Sequence, residues 1–107
     1  PHVMAMNRAA LERREPQSPV LVRYTEVARI LTGLPAATAA DGAAWVRELA
    51  ADLGIPPLGA CGVRPEDISL IVDRAAVASG TKANPIMLTR GELAEILRTA
   101  LSVGIRI

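Results

Sequence analysis

The chain has 107 residues, room for one domain and too few for two of ordinary size. Half of its residues are hydrophobic, yet 19 of the 107 are Ala and only 2% are aromatic, a profile suited to close-packed helices over a β-sandwich. Lys and Arg total 12 against 11 Asp and Glu, a net charge of +1 that lacks the basic excess of a nucleic-acid surface. In chain order, the first expected helix runs from His2 to Arg14, with Val3, Met6, Ala10 and Leu11 spaced by three and four. It stops before Pro16. Ser18-Pro19 reads as an N-cap and first helical residue, because proline has no N–H to leave unbonded there. The second helix carries Leu21, Tyr24, Val27, Ala28 and Leu31 on one face and ends near Gly33.

Leu34 to Ala40 reads as a loop, with Thr38 or Asp41 as candidate caps for a third helix. The apolar stripe of that helix is Trp45, Val46, Leu49, Ala50 and Leu53, and Gly54 follows it. Ile55 to Val63 holds two Pro and two Gly, which predicts an ordered but irregular connector. Pro65-Glu66-Asp67 opens a fourth helix with acidic groups at its positive end. The expected buried face of that helix is Ile68, Ile71, Val72, Ala75 and Ala78. Ser79 to Leu88, with Gly80, Asn84 and Pro85, reads as a loop. Thr89-x-x-Glu92 is a capping box, and the helix after it buries Leu93, Ile96, Leu97, Ala100 and Leu101. The tail Val103 to Ile107 is apolar. The fold class that follows is all-α, a bundle of about five helices with short Pro/Gly-containing connectors. It is expected to form a single helical domain over residues 1–107.

Chemistry is sparse along this chain. His2 is the only histidine, has no second ligand at helical spacing, and reads as structural or surface histidine. Cys61, the one cysteine, sits among Gly59, Ala60 and Gly62 with no activating His or cation in sequence, so inert packing is expected. A single cysteine rules out a disulfide framework within the chain and a Cys-rich zinc site. Ser69, Ser79 and Ser102 lack the G-x-S-x-G setting of a hydrolase nucleophile. No G-x-G-x-x-G or Walker A loop is present. The run Glu12-Arg13-Arg14-Glu15 reads as a solvated face, and Trp45 as core. No apolar run approaches the ~20 residues of a membrane span, and no signal-peptide pattern opens the chain. A cytoplasmic location with no membrane and no nucleic-acid partner is expected.

Six segments in order resemble the iron-containing (group III) alcohol dehydrogenases. Pro1-His2-Val3-Met4-x-x-Asn7 is similar to that family's L-P-H-V-M-x-x-N helix end, and Tyr24-x-x-Val27-Ala28 to its Y-x-x-I/V-A helix. Trp45-Val46-Arg47-Glu48-Leu49 with Asp52-Leu53-Gly54-Ile55-Pro56 resembles its R-x-L-x-x-D-L/V-G-I-P stretch. Leu58, Gly62-Val63 and Glu66-Asp67-Ile68 resemble L-x-x-x-G-V-x-x-E-D-I. Thr81-x-x-Asn84-Pro85 resembles T-x-x-N-P, and the last helix resembles the family's L-x-x-I-L/F-x-x-A-L terminus. The resemblance covers nearly the whole chain.

The resemblance implies the distal part of a helical C-terminal domain, a fragment of a larger enzyme. In the family this domain faces an N-terminal nucleotide-binding α/β domain across a cleft. The cleft holds iron, or sometimes zinc, on an Asp and three His upstream of the P-H-V-M segment. His2 matches the non-ligating His of that segment, so no metal ligand carries over, and neither does the phosphate-binding glycine motif. The expectation is therefore no cofactor and no catalytic residue in this chain, with NAD(P) and Fe or Zn used by the parent enzyme. Catalytic activity by the chain alone is not expected. Gly80, Thr81 and Asn84 are candidate cleft-lining positions by resemblance. Gly80 and Ile86 depart from the Cys and Arg common at those places, which bears on substrate preference. The implied partner is the N-terminal domain, with self-association through Val3, Met6, Val103, Ile105 and Ile107 as a further expectation. The rival reading is a stand-alone helical interaction module that keeps the fold without catalysis.

Overall fold

A computed structural model describes residues 1–102, with side chains to Leu101. Among them the regular structure is all helical: α1 (His2–Arg14), α2 (Pro19–Thr32), α3 (Ala39–Asp52), α4 (Ile68–Ala75), α5 (Ser79–Lys82) and α6 (Arg90–Ser102), with 3₁₀ turns at Leu58–Cys61 and Pro65–Asp67. The five longer helices are those expected from the sequence. Contacts gather the chain into two compact units, one from Pro1 to Leu53 and a second beginning at Gly54.

In the first unit, α1 ends where its chemistry ends, with Glu15 as C-cap and Pro16 next. Its buried face is Asn7, Ala10 and Leu11, with Ala10 and Leu11 fully enclosed. Full burial of a leucine side chain contributes about 1.5–3 kcal/mol, so Leu11 is a principal anchor of α1. Val3, helically spaced with Met6 and Ala10 and one of the expected self-association positions, is 49% exposed. Val3 lies one turn before Asn7, on the same side of the helix as Asn7 and Leu11, so its exposure does not come from the phase of the helix.

Ser18 caps α2, its Oγ accepting the Val20 N–H at 3.2 Å, and Pro19 occupies the first helical position. Gly33 closes the helix at φ 72°, with its N–H donating to the Arg29 carbonyl. That left-handed conformation costs a side-chain-bearing residue about 1–2 kcal/mol, which is why the helix stops on glycine. Thr38 is the cap of α3 and Asp41 the third residue of its capping box. The Asp41 N–H donates to Thr38 Oγ1 at 3.3 Å and the Thr38 N–H donates to Asp41 Oδ2 at 2.8 Å. Ala39 and Ala40, expected in the preceding loop, are therefore the first turn of the helix.

The two helices meet through small residues. Ala28 is fully enclosed and Gly42 on α3 is buried. A Cβ placed on Gly42 would lie 2.9 Å from Ala28 Cβ and 3.1 Å from Ala28 Cα. This close approach leaves bulkier neighbours at the rim. Val27 and Leu49, both expected inside, are more than a third exposed, Leu53 is 67% exposed, and Trp45 is half-buried rather than fully in the core.

In the second unit the Pro- and Gly-rich connector contains the Leu58–Cys61 turn and closes on Gly62. Pro65-Glu66-Asp67 forms a 3₁₀ turn that runs into α4, with the Arg64 N–H donating to Asp67 Oδ2 at 2.9 Å. Ile68 and Val72 are buried, while Ile71 and Ala75 are half-buried. Ala78 is exposed because α4 ends at Ala75, three residues short of it. The segment read as a loop from Ser79 to Leu88 contains a helical turn, α5. A single turn of Ser, Gly, Thr and Lys has no apolar spacing to reveal it. The Thr89 box caps α6 as expected: the Thr89 N–H donates to Glu92 Oε1 at 2.8 Å and the Glu92 N–H to Thr89 Oγ1 at 3.1 Å.

Candidate functional site

A concavity lies in the second unit, where α4 and α6 pack. It is a groove of about 790 Å³ lined by Pro65, Ile68, Ser69 and Val72 on one side and Arg90, Gly91, Ala94, Arg98 and Leu101 on the other. Spacing along α6 builds one wall: residues 90, 94, 98 and 101 recur at intervals of four, four and three and share one helix face. The floor is apolar. Both arginines are already engaged, Arg90 Nη2 with Asp73 Oδ1 and Arg98 Nη2 with Glu95 Oε2, the latter at 3.0 Å. All four partners are more than half exposed, so each pair contributes under about 1 kcal/mol. Ser69 supplies a hydroxyl. Among the described residues the lining holds no His, Cys, Asp or Glu, the side chains that could activate that hydroxyl. The sequence reading did not single out Arg90 or Arg98. Their spacing around Ala94 was the available signal.

Gly80, Thr81 and Asn84 fall on and just after α5. Gly80 is exposed, and Thr81 and Asn84 are half-buried. The turn brings them together, since the Asn84 N–H donates to the Thr81 carbonyl at 3.1 Å. The Asn84 side chain donates from Nδ2 to the Ile86 carbonyl at 2.8 Å. Asn84 thus holds the loop that delivers Ile86 into the core, where it is 5% exposed. Ile86 is a packing residue of this unit, and an arginine there would be buried.

His2 is half-buried in the first unit. Its pKa lies below the ordinary value because burial disfavours the charged ring, with the positive charge of Arg47 adding to that effect. Cys61 is a free thiol and is exposed, contrary to the expected packing. A short 3₁₀ turn between glycines has no helix face to bury it. The expected apolar positions Val103, Ile105 and Ile107 lie outside the described residues.

Comparison with family models decides the relationship that the ordered motifs suggest. The Fe-containing alcohol dehydrogenase family, C-terminal, matches residues 1–101. The chain belongs to this family. No curated protein and no solved structure matches it. The family's metal can be tested against the residues present. Among the described residues, no three His, Cys, Asp or Glu side chains come together, against the three or four ligands a site needs. The described residues do not fit a resident iron or zinc. None of the described helices is long and apolar enough to cross a membrane.

Proposed function

We propose that this chain is the structural, cleft-walling part of an iron-type alcohol dehydrogenase. The parent reaction in this reading is the oxidoreduction of alcohols and aldehydes with NAD(P). The observation that carries the reading is the family match over residues 1–101, which runs through both compact units. The helices serve as scaffold: they support the metal-bearing helices of the remainder of the enzyme and close one side of its cleft. The nucleotide-binding domain is the partner, and the turn at Gly80, Thr81 and Asn84 is the candidate lining. The chemistry of the groove agrees with a scaffold role, since Arg90 and Arg98, the charged residues of its described lining, are each paired with a carboxylate.

The coding DNA upstream of Pro1 tests this directly. The expected result is an in-frame segment encoding a glycine-rich turn and an H-x-x-x-H pair. A start codon abutting this segment would overturn the reading and favour a stand-alone helical module. Two measurements on the isolated chain add to the test. Elemental analysis after dialysis should find less than one tightly held Fe or Zn per chain. Calorimetric titration with NAD and NADP should give no saturable heat in the micromolar range. A stoichiometric metal or a one-to-one isotherm would place catalytic machinery on these helices and refute the scaffold role.

A further inference from the structure

We draw no further inference here: the strongest candidate, the apolar groove between α4 and α6 floored by Ile68, Val72, Ala94 and Leu101, has both of its arginines already paired with Asp73 and Glu95, and nothing in the structure shows what covers it.

Discussion

Substituting Gly42 by alanine sets two effects against each other at one position. Gly42 lies inside α3, where exchange of glycine for alanine normally favours the helix by about 1 kcal/mol. The new methyl, however, would sit 2.9 Å from Ala28 Cβ and 3.1 Å from Ala28 Cα. Carbon atoms in contact prefer about 3.5–4.0 Å, so the methyl is short of room by roughly half an ångström or more. Neither neighbouring atom can swing aside, because one belongs to the backbone and the other is fixed directly to it. Relief requires α2 and α3 to separate along their shared seam. Overpacking of this kind costs about 1–3 kcal/mol.

The steric effect therefore wins, and Gly42→Ala should lose about 1 kcal/mol net, which is roughly 4–8 °C in Tm for a unit of this size. Gly42→Val carries two methyls more than the alanine variant and gains less helix propensity, so its loss should approach about 3 kcal/mol. Gly91→Ala on α6 is the contrast: its methyl would meet nothing closer than Thr89 Oγ1 at 3.8 Å, and that variant should be neutral or slightly stabilised. Urea titration followed by Trp45 fluorescence reads the first unit, since Trp45 sits on α3 and is the chain's one tryptophan. Far-UV circular dichroism reads the whole chain. A Gly42→Ala protein at least as stable as the parent would refute the close approach of α2 and α3.

The two capping boxes and the buried asparagine give three further tests. Thr89→Ala removes the acceptor of the Glu92 N–H and should lower stability by about 0.5–2 kcal/mol. Thr89→Ser should lose much less, and equal denaturation midpoints for all three proteins would contradict the cap. Asp41 titrates below its ordinary value, chiefly because its carboxylate accepts the Thr38 backbone N–H. A carboxyl with a depressed folded-state pKa adds stability above the unfolded value of about 3.9, lost as pH falls through the folded value. Midpoints measured downward from pH ~5 should therefore fall more steeply for the parent than for Asp41→Asn, and parallel profiles would refute the box. Asn7 donates from Nδ2 to the Tyr24 hydroxyl at 3.1 Å. A double-mutant cycle of Asn7→Ala and Tyr24→Phe should show coupling of about 0.5–1.5 kcal/mol, whereas strict additivity would show that the contact contributes nothing.

Local chemistry made most of this fold legible. The Ser18-Pro19 start, the Gly33 stop and the Thr89 box each involve residues within four positions of one another, so sequence spacing alone exposes them. The same holds for the five long helices, whose apolar residues recur every three or four positions. What escaped was set by distant partners or by too little sequence. Asn7 is 2% exposed because a hydroxyl 17 positions away receives its amide, and periodicity treats an isolated asparagine as surface. Ala28 is enclosed while neighbouring Val27 is not, because the seam is narrow where it meets Gly42. The division after Leu53 follows contacts, and its sequence trace is only the Gly54-Ile55-Pro56-Pro57 run. The groove escaped because its two walls come from segments whose lining residues lie 18 or more positions apart.

Several residues of the motifs that point to the family make packing or hydrogen-bond contacts within the fold. Asn7, the last letter of the P-H-V-M-x-x-N segment, bonds Tyr24, the first letter of Y-x-x-V-A. Ala28, the last letter of that second motif, is the fully enclosed residue against which α3 packs. Two segments 17 positions apart are thus joined by the very side chains that define them. Asn84 of the T-x-x-N-P segment braces its own turn through the Ile86 carbonyl, and Ile68 at the end of the G-V-x-x-E-D-I segment is buried at the start of α4. Each of these positions fails for a physical reason if changed: an unpaired buried amide costs about 1–3 kcal/mol, and an enlarged Ala28 meets Gly42 at once. Such constraints hold the scaffold's shape whether or not a reacting group is nearby. A chain can therefore display a family's motifs in order while its described residues assemble no metal ligands. On the proposed reading, these helices contribute to catalysis by position: a cleft wall displaced by even 1 Å misaligns reactants held on the other side.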